Sequence, residues 1–192
     1  TSSGGGVANY HGTFTMEGGT ISGNKVGGNG GGGVCNEAAY GSNISQSAIF
    51  TMTGGTISDN TATVVGGGVR NSAGKDTTAS FRMSGNAVIK ENTAQNGGGV
   101  SNNGSGMTMT MEGNAEIKNN TATGTNSGKG NGGGVCNSCN NSDNCPVFNQ
   151  NGGTISGNKA QRGGGIYVSG GRWNAAGGSV TGNTAEYGGG VH

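Results

Sequence analysis

The apolar residues of this chain fall in short runs in which every second side chain is polar. Phe-Thr-Met, Thr-Ile-Ser and Gly-Val-x-Asn are recurring examples. Alternation with a period of two residues is typical of a β-strand with one buried face. Gly and Asn, which favour tight turns, separate the runs. The pattern predicts an all-β chain of short strands joined by narrow corners.

A sequence repeat organises these predicted strands. The tetrapeptide Gly-Gly-Gly-Val/Ile occurs seven times, at intervals of 25 to 35 residues. Its last residues are Val7, Val34, Val69, Val100, Val135, Ile166 and Val191. Repeats of this length are typical of solenoid proteins, in which each unit packs only on its neighbours.

The same apolar landmarks follow each Gly-Gly-Gly-Val/Ile motif in the same order. A large apolar residue comes first, at Phe14, Phe50, Phe81, Met109, Phe148 and Trp173. A β-branched residue follows, at Ile21, Ile57, Ile89, Ile117, Ile155 and Val180. Three strands and their corners fit into about 25 residues, so one repeat unit is expected to form one coil. Each residue should then stack on its equivalent in the next coil, about 4.8 Å away. We predict an all-β, right-handed parallel β-helix of about six to seven coils, with three short strands per coil, as a single domain over residues 1–192.

An asparagine stands three residues after each of these β-branched landmarks. The six are Asn24, Asn60, Asn92, Asn120, Asn158 and Asn183. A stacked amide can donate to the coil on one side and accept from the coil on the other, and Asn also tolerates the left-handed backbone that a sharp corner needs. We therefore expect a structural ladder of asparagines at one corner. Segments of variable length are expected at two other corners, and in repeat proteins such insertions often collect on the binding face.

The composition narrows the choice of architecture. Of 192 residues, 47 are Gly, one is Pro and none is Leu. Frequent Gly excludes a helical bundle, and the scarcity of Pro excludes collagen. The net charge of +1 argues against a nucleic-acid-binding surface. No apolar run approaches the roughly 18 residues that a membrane-spanning helix needs.

The sequence Ile-Ser-Gly-Asn-x-Ala followed by Gly-Gly-Gly-Val resembles a known repeat over essentially the whole chain. It is similar to the paired Gly-Gly-Ala-Ile/Leu/Val and Phe-x-x-Asn repeats of chlamydial-type polymorphic outer-membrane proteins, and to the glycine-rich right-handed β-helices of large bacterial surface adhesins. Here Ile or Val replaces the Phe of one motif, and Gly replaces the Ala of the other. The resemblance implies an extracellular or cell-surface β-helical stalk or passenger, of bacterial origin, used in adhesion. The family's motifs are structural, so no catalytic residue carries over.

The four cysteines present two alternatives. Cys136, Cys139 and Cys145 lie close together, whereas Cys35 is distant. Zinc would need a fourth nearby ligand. A disulfide within the Cys136–Cys145 loop fits an oxidising exterior better, with the pairing among its three cysteines left open. Cys35 and Cys136 should lie three coils apart, about 14 Å, which is too far for a direct bond. Cys35 could still meet the long loop around Cys139 if that loop folds back along the rod.

Enzymatic and ice-binding functions remain as alternatives. Asp59 and Glu91 fall at equivalent positions in adjacent coils, where a carbohydrate-active enzyme could use a carboxylate pair, but solvated corner residues are the simpler interpretation. Lys90 and Lys118 likewise stack as like charges, which requires exposure. Ice binding would need unbroken threonine columns. The outward column formed by the residue after each large apolar landmark is mixed: Thr15, Thr51, Arg82, Thr110, Asn149 and Asn174.

The expected function is that of a non-enzymatic structural or adhesive β-helix that needs no cofactor. Recognisable polar caps are absent from both ends of the sequence, although solenoids usually protect their terminal edges. We therefore expect either a segment of a longer rod or a fibre subunit whose copies associate head to tail through open coil ends. A host or surface glycan or protein is the expected ligand.

Overall fold

The fold was taken from a computed structural model, which describes residues 4–38, 47–74, 76–125, 128–139 and 144–192. Within these residues the chain forms strands and connecting segments and no helix. The strands are β1 (Val7–Tyr10), β2 (Thr13–Met16), β3 (Thr20–Ser22), β4 (Lys25–Val26), β5 (Val34–Ala38), β6 (Ser47–Met52), β7 (Thr56–Ser58), β8 (Thr61–Ala62), β9 (Val69–Ala73), β10 (Thr78–Met83), β11 (Val88–Lys90), β12 (Thr93–Ala94), β13 (Val100–Asn103), β14 (Met107–Met111), β15 (Glu116–Lys118), β16 (Thr121–Ala122), β17 (Val135–Ser138), β18 (Val147–Ser156), β19 (Lys159–Arg162), β20 (Ile166–Ser169), β21 (Arg172–Thr181) and β22 (Thr184–Tyr187).

These strands form three sheets, in which every strand pairs in parallel with its equivalent in the next coil. Sheet A contains β1, β5, β9, β13, β17 and β20 in that order, and sheet C contains β4, β8, β12, β16, β19 and β22. Sheet B holds the remaining ten strands. The predicted all-β parallel β-helix is therefore confirmed.

The strands within a coil differ from the prediction in one detail. Each of the first four coils contains a fourth strand of two residues, such as Lys25–Val26. Two residues are too few to show an alternating pattern, so alternation did not predict these strands. In the last two coils, β18 and β21 run through the two strand positions of sheet B, and thereby join them into one sheet.

The core consists of columns of equivalent residues. Val34 pairs with Val69, Phe50 with Phe81, and Ile57 with Ile89, so equivalent positions of successive repeats lie directly opposite each other. The rings of Phe14, Phe50 and Phe81 stack with centroids 4.9 and 4.8 Å apart, which is the spacing of parallel strands. The buried residues of this main core are Met16, Val34, Phe50, Met52, Ile57, Val69, Phe81, Met83, Ala87, Ile89, Val100, Met109, Met111, Ala115, Ile117, Val135, Phe148, Ile155 and Ile166.

The Gly-Gly-Gly motif is explained by close backbone contact. A Cβ atom added to Gly99 would lie 2.6 Å from the carbonyl oxygen of Gly134 and 3.0 Å from both Asn120 Nδ2 and Ile117 Cγ2. These distances are shorter than normal van der Waals contacts. The last glycine of the motif therefore lets the backbone lie directly against the isoleucine column and the asparagine ladder.

The segments that vary in length lie at two corners, one between sheets A and B and the other between sheets C and A. Residues 39–46 and 140–143 at the first corner and 126–127 at the second lie outside the described residues. The part of the chain that the structure describes contains no helix long and apolar enough to span a membrane.

Candidate functional site

The structure brings all six predicted ladder asparagines together at the corner between sheets B and C. We call this set (Asn24, Asn60, Asn92, Asn120, Asn158 and Asn183) the corner ladder. At each of its five steps, the backbone N–H and the side-chain amide of one asparagine both donate to Oδ1 of the next, at 2.9–3.0 Å. The same amide also donates to an isoleucine carbonyl of the preceding coil, as from Asn92 to Ile57 at 3.0 Å. Each of the four inner side chains therefore bridges three coils, whereas Asn24 and Asn183 at the ends each bridge two.

The left-handed residue of this corner is not the ladder asparagine, contrary to the sequence-based expectation. It is the residue immediately before it: Gly23, Asp59, Glu91, Asn119, Gly157 and Gly182, with φ between 56° and 68°. The ladder asparagine needs an ordinary backbone because its own N–H must point along the stack at the next Oδ1. The preceding residue therefore makes the turn.

A second asparagine ladder, which was not predicted from the sequence, lies in the strands of sheet A on the side that contacts sheet B. It consists of Asn9, Asn36, Asn71, Asn102 and Asn137, which we call the sheet A ladder. Each side-chain amide donates to Oδ1 of the next asparagine, at 2.7–2.9 Å. The ladder ends where Val168 pairs with Asn137, and Asn137 donates instead to the Arg172 carbonyl at 2.9 Å. Its sequence signal was available, because each asparagine stands two residues after a core Val and so on the same side of the strand.

The cysteines divide into one disulfide and two free thiols. Cys139 and Cys145 are bonded, with Cα atoms 5.4 Å apart, across the loop that contains residues 140–143. Cys136, which the sequence left as a third possible partner, is free and buried, as is Cys35. Cys35, Arg70, Ser101 and Cys136 occupy successive register positions in sheet A, so the two free thiols are three coils apart.

Burial dominates the chemistry of both free thiols. It raises the pKa of Cys136 from 9.0 to about 11, against a weaker lowering by the Ser138 hydroxyl. Burial also raises the pKa of Cys35, although the Arg70 guanidinium, 3.6 Å from Sγ, opposes the shift. Arg70 is itself paired with Glu37 at 3.1 Å. Both thiols are therefore protonated near neutral pH and are poor nucleophiles.

The charged residues and the threonine column that were weighed for enzymatic and ice-binding functions do stack in register. They do not form a continuous carboxylate or threonine surface. Glu91 pairs with Lys90 at 3.1 Å, and Lys118 pairs with Glu116, so each stacked lysine has its own carboxylate. Asp59 and Glu91 both hold the left-handed corner position and are exposed. The threonine column runs Thr15, Thr51, Arg82, Thr110, Asn149 and Asn174, as the sequence order required.

A cleft of about 500 Å³ opens beside the disulfide, at the loop-bearing corner between sheets A and B. We call it the Arg172 cleft. Its lining is Asn144, Cys145, Val147, Gly170, Gly171 and Arg172.

Among the described residues, no group of three or more His, Cys, Asp or Glu side chains is arranged to hold a metal ion. No protein-family model, curated protein or solved structure matches this chain.

Proposed function

We propose that the chain is a non-enzymatic, extracellular structural β-helix of a bacterial surface, which holds adhesive loops along the edge of a rod. The observation that carries this proposal is the continuity of the two ladders. The corner ladder joins all six coils, and the sheet A ladder joins the first five. Six coils at about 4.8 Å each give a stack about 29 Å long that behaves as one body.

The disulfide supports the extracellular assignment. Cys139 and Cys145 close the loop at the variable corner, and structural disulfides persist mainly in oxidising compartments. The bond also joins the two ends of the segment between Cys139 and Cys145 at this corner. A rigid scaffold with loops fixed on its edge suits recognition of a surface glycan or protein.

An adhesion assay tests this function. The purified chain is applied to a glycan array and to immobilised cells, and the double variant Cys139→Ser/Cys145→Ser is the matched variant with an open loop. We expect binding without turnover, weakened in the variant. Depolymerisation of a polysaccharide would support a carbohydrate-active enzyme instead, and thermal hysteresis would support an ice-binding protein. Either result would overturn the proposal.

Head-to-tail association is the second element of the proposed function. The corner ladder is polar: Asn24 Oδ1 is an open acceptor at one end, and the Asn183 backbone N–H is an open donor at the other, within the described residues. A second copy could therefore extend the ladder. However, Val191 already pairs with Ile166, where the first strand of an added coil would lie. A joining copy must displace either this segment or its own Gly4–Val7.

Sedimentation over a range of concentrations tests this association. We expect weak end-to-end oligomers that strengthen when residues 188–192 are deleted, because the deletion frees the outer edge of β20. A monodisperse monomer in both forms would exclude head-to-tail association and leave the adhesive function standing.

A further inference from the structure

The walls of the Arg172 cleft are held by backbone bonds from two coils. Ser138 and Gly170 form an antiparallel bridge, and the Cys139 N–H donates to the Ser169 carbonyl at 2.8 Å. On the opposite wall the Arg172 N–H donates to the Pro146 carbonyl at 2.9 Å. With the Cys139–Cys145 bond, these contacts fix the cleft before any ligand arrives. A preformed cleft loses little conformational entropy on binding.

Arg172 is distinguished from the other arginines by the absence of a partner. Arg70 pairs with Glu37, Arg82 pairs with Glu112, and the Arg162 guanidinium lies 5.8 Å from the centre of the Tyr187 ring. Within the described residues no carboxylate, ring or other acceptor contacts the Arg172 side chain, which is exposed at the rim. Among the described residues, the cleft therefore presents one guanidinium without a counter-charge.

The remaining described residues of the lining have small or medium-sized side chains and carry no charge. The Asn144 side chain is exposed, and its amide has no partner in the part of the chain that the structure describes. Gly170 and Gly171 form a wall of bare backbone, and a Cβ at Gly171 would lie 2.7 Å from Asn137 Nδ2. A planar guanidinium pairs best with a carboxylate, through two parallel hydrogen bonds. An amide that can both donate and accept suits hydroxyl groups.

We propose that the Arg172 cleft binds an acidic saccharide, with the sugar carboxylate on Arg172 and its hydroxyl groups on Asn144. The cleft volume of about 500 Å³ lies within the range of small-molecule sites. This inference rests on the proposed adhesive function and names the class of glycan that the edge of the rod would recognise. An exposed guanidinium implies weak binding that falls as salt increases.

The test compares two methyl glycosides that differ only at one carbon. Isothermal titration calorimetry at low ionic strength measures the binding of methyl β-D-glucuronide and of methyl β-D-glucoside, in which a hydroxymethyl group replaces the carboxylate. We expect the glucuronide to bind at least tenfold more tightly, and Arg172→Gln to remove that preference. Arg82→Gln is the matched control, since Arg82 is also exposed but is paired with Glu112 away from the cleft. Unchanged circular dichroism and thermal midpoint show that both variants are folded.

Three results would overturn the assignment: equal affinity for the two glycosides, no binding of either, or wild-type affinity in Arg172→Gln. A fourth arm uses inorganic phosphate, which must bind at least tenfold more weakly than the glucuronide; equal affinity would mean that the cleft recognises charge alone. If Arg172→Gln still adheres to cells and arrays like the wild type, the cleft inference fails while the adhesive function stands. If neither protein adheres, the proposed function fails.

Discussion

Oδ1 of Asn120 accepts two hydrogen bonds from Asn92, one from its backbone N–H and one from its side-chain amide, each 3.0 Å long. Both residues are fully buried. A buried polar group without a partner costs about 1–3 kcal/mol, so the pair is stable only because every donor and acceptor is used. The same geometry recurs at every step of the corner ladder, and therefore each coil depends on its neighbours for the satisfaction of its own corner.

Replacing one ladder asparagine should destabilise the rod strongly. Asn92→Ala removes the acceptor of the Asn60 N–H and the donor to the Lys90 carbonyl. We expect a loss of about 3 kcal/mol in the free energy of unfolding, measured by urea denaturation. Asn174→Ala is the control, because Asn174 forms a similar amide pair with Asn149 on the exposed face. A loss in Asn92→Ala no larger than in the control, which should stay within about 0.5 kcal/mol, would contradict a structural role for the ladder.

The last glycine of each of the first six motifs should not tolerate even one added carbon. Gly99→Ala places a Cβ against Gly134, Ile117 and Asn120, and overpacking of this kind costs about 1–3 kcal/mol. Gly18→Ala is the matched control, since nothing lies within 4 Å of a Cβ there and its φ is ordinary. Thermal unfolding should show a clear decrease for the first variant and no decrease for the second. Equal midpoints would mean that the coils can separate to admit a side chain.

The repeat made much of this fold predictable, because equivalent residues of successive repeats stack on one another in adjacent coils. Once the repeats are aligned in the sequence, the residues of each column are known. The Val, Phe/Met and Ile columns, the three sheets and the membership of the corner ladder all follow from one spacing rule. The sheet A ladder was not predicted, although Asn36 lies on the same side of its strand as Val34, because a polar residue in an alternating strand is usually expected to face solvent. It lies inward, where its amide is paired.

The Arg172 cleft could not be predicted from the sequence. Its residues come from the end of the disulfide loop, from the Gly170–Gly171 turn and from the first residues of β18 and β21, and they meet at the corner whose length varies from coil to coil. The choice of Cys139 and Cys145 among three cysteines also depends on the loop. Cys136 belongs to strand β17 and is held in register there, whereas the other two lie outside any strand.

Removing the side chain at a left-handed corner should stabilise the chain. Glu91 has φ of 58°, where a residue with a Cβ pays about 1–2 kcal/mol, and three other coils have Gly at this position. Glu91→Gly should raise the unfolding free energy by about 0.5–1 kcal/mol, after the flexibility of Gly in the unfolded state is counted. The exposed ion pair with Lys90 contributes little. Glu112→Gly, at an ordinary φ and with a similar ion pair to Arg82, should destabilise instead. A loss of stability in both variants would show that the corner is not strained.

The stability of the protein should fall at alkaline pH because of Cys136. Its folded pKa of about 11 exceeds the ordinary value of 9.0, so between these values the unfolded chain loses a proton that the folded chain keeps. Ionisation then favours unfolding as the pH rises, and one pKa unit corresponds to about 1.4 kcal/mol. We expect a decrease of about 2 kcal/mol from pH 9 to pH 11 in the wild type relative to Cys136→Ala, with the two proteins parallel below pH 8. Thiolate absorbance at 240 nm, taken as the difference between the two folded proteins, should rise with a midpoint near pH 11. A midpoint at or below 9 would mean that the thiol is not buried in solution.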